Sequence, residues 1–215
     1  MQRVTLAGLL LAALFAMPSL ASANDVDHAD KLSSQLSEYR SFQAGFTQRV
    51  EDGRGAAPQE TTGELKARRP GYFYWKTDAP MEQIIVADGE RVTVYDPDLL
   101  QASVYAMEQQ LSQTPALLLS GEVVDLAESF RISHDTFGDS GEEYTLVPRE
   151  PGSLFEELTL VFVEDLLVEM RLVDAMEQRS VLEFENVSIN EDIADDVFEL
   201  DLPEDVDVIR GQEGL

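Results

Sequence analysis

Cysteine is absent from all 215 residues. That excludes a disulfide framework, a thiol nucleophile and a thiolate metal site, so an exported chain of this kind must rely on its core and its sheet. Histidine is almost absent. His28 and His134 are the only two, and neither has a partner at the spacing that sets two ligands on one helix face. Both read as ordinary surface or core histidines. Positive charge is also scarce: 15 Lys and Arg stand against 42 Asp and Glu, for a net charge of −27. Such a chain has no basic face for nucleic acid, and it does not adsorb to anionic headgroups by charge. Acid pairs such as Glu142-Glu143, Glu156-Glu157 and Asp195-Asp196 read as a solvated surface, as in salt adaptation. A docking face for a basic partner is the alternative.

Catalytic signatures are missing as well. No serine lies in G-x-S-x-G, and no glycine-rich phosphate loop is present. The run "NEDIADD" at 190–196 is acidic but lacks the glycine and spacing of a calcium loop. No cofactor is implied. Two carboxylates for sugar hydrolysis can come from distant strands, but nothing singles out a pair.

What is present begins with a leader. "MQRVTLAGLLLAALFAMPSLASA" carries Arg3, an apolar run from Val4 to Met17, Pro18 and a terminal Ala21-Ser22-Ala23. This reads as a secretory signal peptide of residues 1–23, cleaved after Ala23. Its apolar run is shorter than the roughly 20 residues a spanning helix needs. Asn24 follows, so the new terminus has no cysteine to acylate. Residues 24–215 then read as a single soluble domain, long enough for a sizeable core. Removing Arg3 makes the mature chain still more acidic.

Ala29, Leu32, Leu36 and Tyr39 recur at helical spacing, with Asp27 as the expected cap. The period then changes to two at Phe42, Ala44 and Phe46. From there the chain reads as about eleven short strands, near 41–50, 62–67, 72–76, 83–87, 91–96, 102–107, 130–133, 143–148, 158–163, 167–173 and 179–187. Asp88-Gly89 is a tight-hairpin signal. Short connections favour antiparallel neighbours in a sandwich, a barrel or a strongly curved sheet. One interruption, residues 108–130, holds Thr114-Pro115 as an N-cap and first helical residue. Ala116, Leu117, Leu118 and Leu119 follow, and Val123–Phe130 is a second short helix. Apolar helices at that point in a strand-rich chain suit a cover over one face of the sheet.

The stretch "ARRPGYFYWKTDAP" at 67–80 gathers arginines, rings and the single tryptophan. If it is extended from Leu65, then Leu65, Ala67, Arg69, Gly71, Phe73 and Trp75 share one face. Two readings of that face stay open. In one, Phe73 and Trp75 are core, and Arg69 lies at its margin with its stem on the rings. In the other, apolar side chains line a ligand cavity and Arg69 bonds whatever closes it, since an unpaired buried charge is costly. The last carbonyls of the helix Pro115–Leu119 are suitable acceptors.

"FQAGFTQRV", "RRPGYFYWKTDAP", "VADGERVTVYDPDLLQ", "QTPALLL", "YTLVPRE" and "LPEDVDVI" resemble, in order and over about residues 30–209, the LolA family of periplasmic outer-membrane lipoprotein carriers. The resemblance implies a mainly β (α+β) fold: an incomplete antiparallel β-barrel with a lid of short α-helices over an apolar cavity. It implies a monomeric, non-enzymatic periplasmic chaperone for acylated lipoproteins. Cargo would come from an inner-membrane LolCDE-type ABC transporter and pass to an outer-membrane LolB-type receptor. Arg69 matches the family arginine that bonds the lid in the closed, empty state, and Phe73 matches the aromatic three residues after the proline. The expected acyl-chain cavity residues are Phe46, Leu65, Phe73 and Trp75. Lid and latch are Arg69 and Pro115, Ala116, Leu117, Leu118 and Leu119. The LolB-type receptor is itself a lipoprotein, and the missing cysteine sets this chain apart from it. The alternatives are a module of similar sheet for another apolar ligand, or a sensor of misplaced lipoproteins; an enzyme with two unrecognised carboxylates is a third.

Overall fold

The computed structural model describes residues 21–210 apart from 53–56, 108–114, 122–125, 151–152 and 154. The expected leader therefore lies almost wholly outside the described residues. So do Thr114 and much of the interruption at 108–130. Among the described residues, no helix is long and apolar enough to cross a membrane.

Helix α1 spans Ala21–Ser37. It buries Ala29, Leu32 and Leu36 to 2% exposure or less, which is the stripe its spacing dictates. It is already helical at Ala21, so Asp27 lies within it and does not cap it. The strands are β1 (Ser41–Glu51), β2 (Gln59–Arg68), β3 (Tyr72–Thr77), β4 (Gln83–Asp88), β5 (Arg91–Asp96) and β6 (Gln101–Ala106). After a short 3-10 helix at Pro115–Leu119 and helix α2 (Leu126–Ser129) come β7 (Phe130–Phe137), β8 (Gly141–Pro148), β9 (Phe155–Val163), β10 (Leu166–Asp174), β11 (Arg179–Ile189) and β12 (Asp207–Arg210).

They form one open sheet in the order β12-β6-β5-β4-β3-β2-β1-β11-β10-β9-β8-β7. About eleven strands were expected, and twelve are present among the described residues. The extra one, β12, pairs parallel with β6, whereas the neighbouring pairs that run from β6 to β7 are antiparallel. Its four residues carry no alternation that would mark a strand; only the distant ladder makes them one. The second cover helix, expected at Val123–Phe130, ends one residue earlier, and residues 123–125 lie outside the described residues. α2 stops at Ser129, and Phe130 already belongs to β7.

Strand parity gives the sheet a concave and a convex face. Phe42, Ala44 and Phe46 of β1, Leu65 and Ala67 of β2, and Phe73 and Trp75 of β3 join one buried cluster with Leu158, Leu160, Leu182 and Phe184 from the other half. α1 and the Pro115–Leu119 helix add Leu32, Leu36, Leu117 and Leu119 to it. On the convex face a smaller cluster packs Ile193 and Phe198 over Val86, with Tyr72, Tyr74 and Ile84 beside them.

Two polar contacts tie α1 and the residues just after it to the sheet. Tyr39, 2% exposed, donates its hydroxyl hydrogen to the Asp165 carbonyl at 2.6 Å and accepts from the Leu167 amide at 3.0 Å. Burial pushes its phenol pKa up to about 12, and the amide bond only partly opposes that. Tyr39→Phe strands both backbone groups. The expected loss is about 1–3 kcal/mol, a fall in Tm of roughly 2–10 °C. An unchanged melting curve would refute the assignment. Elsewhere α1 meets the sheet through Lys31, whose Nζ lies 2.7 Å from Glu142, with Tyr144 also donating to that carboxylate at 3.1 Å.

Candidate functional site: a covered apolar cavity and its arginine

The stretch read as one bent strand is a hairpin. β2 and β3 pair Leu65 with Trp75 and Ala67 with Phe73, and Arg69, Pro70 and Gly71 make the turn. The shared face survives because each pair joins positions of the same parity, odd with odd and even with even. Gly71 has φ +79°, and a Cβ there would lie 2.9 Å from the Gly89 Cα, so the turn demands glycine and abuts the β4–β5 turn.

Arg68 and Arg69 hold this turn from opposite faces. On the convex side, Arg68 Nη1 donates to the Ile193 carbonyl at 2.9 Å and to Asp195 at 2.6 Å. Its guanidinium also stands 4.5 Å from the Tyr72 ring centre and 4.9 Å from that of Phe198. On the concave side, Arg69 Nε donates to the Tyr39 carbonyl at 2.9 Å, and Nη2 donates to the Leu118 carbonyl at 3.2 Å. The Gly71 amide donates to the Ser120 carbonyl at 2.7 Å. Ser120 is fully buried, and its hydroxyl donates to the Leu117 carbonyl at 3.0 Å.

The Leu118 carbonyl near the end of the Pro115–Leu119 helix, where a helix leaves carbonyls without internal partners, and the Ser120 carbonyl just beyond it are thus taken by the β2–β3 turn. The arginine's acceptors are neutral carbonyls, so the link is a charge-assisted hydrogen bond and not an ion pair. Burial lowers the Arg69 pKa, and the group stays charged because its ordinary value is so high.

Below that helix lies a cavity of about 260 Å³. Trp75, Ile85, Leu158, Met170 and Leu182 make its apolar wall, and Ala116 closes it from the helix. Of the expected cavity residues, only Trp75 is on this wall. Phe46 stacks on Trp75, with ring centres 4.0 Å apart. Leu65 and Phe73 are fully buried in the core. All four share the inward face of the sheet, and Phe46, Leu65 and Phe73 stand beside this cavity without lining it. Of the helix residues, Ala116 reaches the cavity, Leu118 supplies the bonded carbonyl, and Leu117 and Leu119 pack into the core. Pro115 opens the helix.

Leu158, Met170 and Leu182 come from the second half of the chain, and sequence reading missed them. Their alternation marks an inward face, but only the pairing of β1 with β11 brings that face opposite Trp75. Among the described residues, no cluster of His, Asp and Glu could hold a metal ion.

The architecture is an open, strongly curved sheet whose concave face lines an apolar cavity under short helices. Its fold is shared by two distant structural neighbours, an uncharacterized conserved protein from Thermus thermophilus and a DUF1329 family protein from Desulfovibrio piger. The first superposes with a TM-score of 0.52 at 15% identity, covering 86% of this chain and 98% of that one. The second gives 0.50 at 10% identity, covering 82% and 97%.

Sequence comparison is sharper. Residues 37–201 match the outer membrane lipoprotein carrier protein LolA family, and the chain belongs to that family. It is 45% identical over 203 residues to the outer-membrane lipoprotein carrier protein of Hahella chejuensis, spanning 94% of this chain and 96% of the relative. The corresponding protein of Pseudomonas entomophila is 40% identical over 202 residues, spanning 94% and 97%.

Proposed function

We propose that this chain, as residues 24–215 after removal of a leader ending at Ala23, is a monomeric periplasmic chaperone for acylated lipoproteins. It accepts cargo from an inner-membrane LolCDE-type ABC transporter, shields the acyl chains in its cavity, and hands the cargo to an outer-membrane LolB-type receptor. One observation carries the reading: an apolar cavity whose cover is held by Arg69 through the Leu118 carbonyl.

The physics sets the need. Each buried methylene is worth about 0.8 kcal/mol. Three acyl chains hold roughly 40 of them, so exposing the anchor to water costs on the order of 30 kcal/mol, and unassisted crossing is negligible. A carrier must also let go. With the helix in place the cavity, at about 260 Å³, is smaller than the roughly 300–1,000 Å³ of ordinary small-ligand pockets. Cargo therefore enters only when the cover moves and the Arg69 bond breaks. The closed, bonded state competes with the loaded one, which lowers apparent affinity and permits release.

The test uses inner-membrane vesicles bearing the lipoprotein transporter, a labelled outer-membrane lipoprotein, ATP and the mature protein. Label should enter the soluble fraction as a complex with this chain, dependent on both ATP and the chain. No release by a demonstrably active transporter from the same organism would instead favour a module for a different apolar client.

A further inference from the structure

The cavity has a second kind of wall. At the end away from Arg69, the last residue of β3, the starts of β4 and β11 and a residue near the end of β1 bring Thr77, Gln83, Ser180 and Gln48 to its lining. Thr77 closes β3, Gln83 opens β4, and Ser180 is the second residue of β11. Six residues of β3 separate this end from the Arg69 turn, roughly 17 Å of extended chain.

Thr77 is committed to the protein. Its hydroxyl donates to the Met81 carbonyl at 2.7 Å and accepts from the Gln83 amide at 2.8 Å, which fixes the backbone that carries the Gln83 side chain. The Gln48, Gln83 and Ser180 side chains make no hydrogen bond among the described residues. Two carboxamides and a hydroxyl thus stand free at one end of an otherwise apolar cavity.

None of these groups is charged, and the nearby cations are turned away. Arg49 and Lys76 have the opposite strand parity, and they pair on the convex side with Glu60 and Glu183 and with Glu82, respectively. A phosphate or a free carboxylate would meet no cation on this wall, in a protein already strongly acidic. A neutral acyl linkage fits. Amide hydrogens of Gln48 and Gln83 donate to ester or amide carbonyl oxygens, which accept without bringing charge.

We infer that Gln48, Gln83 and Ser180 form a polar collar that binds the ester and amide carbonyls joining the acyl chains to the lipid head, with the chains running from the collar towards Ala116. The inference rests on the carrier reading and adds the chemistry by which the cavity recognises its ligand. It also sets the ligand's direction: the head lies at the end opposite the arginine, and the hydrocarbon displaces the cover.

The test compares a diacylglycerol with the dialkylglycerol ether of equal chain length. The two differ only in the carbonyls, and each competes for the cavity with an environment-sensitive apolar dye. The full mature protein should bind the ester about 3- to 10-fold more tightly, the worth of one or two net hydrogen bonds. Gln48→Leu with Gln83→Leu should erase that preference, with ester affinity falling by more than ether affinity. Equal affinity of the wild type for both lipids overturns the collar whatever the variants do. So does an equal loss of both lipids in the double variant, which would mark a change of cavity shape. If neither lipid displaces the dye from the wild type, the carrier reading falls and takes the collar with it.

Discussion

Arg69→Leu is expected to load with cargo and fail to unload it. Arg69 supplies the side-chain hydrogen bond between the β2–β3 turn and the cover helix, at 3.2 Å to the Leu118 carbonyl, and a second to Tyr39 at 2.9 Å. A hydrogen bond to a charged donor is worth about 1.5–3 kcal/mol. Removing it destabilises the closed, empty state and leaves the apolar wall for acyl chains intact. Uptake from the transporter should stay near wild type, while retention tightens roughly 10- to 100-fold. Transfer to receptor-bearing membranes should fall accordingly. Arg69→Lys, a compact point charge without the planar fork, can satisfy only part of the pair and should be intermediate. The Gly71 amide bond to Ser120 remains in both variants, so the cover is loosened and not freed. Wild-type transfer by the Leu variant would remove Arg69 from the latch role. Because the acceptors are neutral, the wild-type latch should also weaken little with salt, unlike a surface ion pair.

Phe73→Glu is expected to unfold the protein, not merely to weaken lipid uptake. Phe73 is fully buried, and its cross-strand neighbours Ala67 and Ala87 are fully buried too. Losing a buried ring costs about 3–5 kcal/mol, and a carboxylate without a partner there adds several more. Together they rival the roughly 5–15 kcal/mol that holds a domain folded. Thermal melting should show little native protein at neutral pH. Burial would raise the pKa of the new carboxyl above its unfolded value. Its neutral form is then the one the folded state tolerates, so part of the stability should return as pH falls below that raised pKa, the gain being complete once pH reaches the normal glutamate range. Phe73→Leu, nearly volume-conserving, should cost about 1.5 kcal/mol or less. A Glu variant that melts like wild type would place Phe73 on an open wall rather than in the core.

The difference between Phe73 and Trp75 shows where sequence reading stops. Both alternate on one strand and both face inward. Trp75 is 8% exposed and borders the cavity, while Phe73 is fully enclosed. Period-two alternation assigns a face, and it cannot say which part of that face meets a void. The void is set by what stands opposite, here Leu158, Met170 and Leu182, brought in by the β1–β11 ladder. The same limit applies at the strand ends. Gln48, Gln83 and Ser180 look like ordinary polar strand residues in the chain, and they become a collar only when three strands deliver them to one rim.

The sequence by itself determined the local rules. The spacing of Ala29, Leu32 and Leu36 made a helix with one buried face. Alternation and turn residues made a meander of short antiparallel strands, and the absence of cysteine and of catalytic motifs narrowed the chemistry. The run from Leu65 to Trp75 put Arg69 on the inward face, and the turn at Pro70 preserved that face because its pairing keeps parity across the hairpin. Tertiary structure decided the rest: the parallel return of β12 onto β6, the Leu118 carbonyl at the end of the Arg69 side chain, and a cavity bounded by residues more than a hundred positions apart. The physical reason is range. Hydrophobic period and turn chemistry act over a few residues, whereas a cavity is the space left when distant surfaces pack imperfectly against one another.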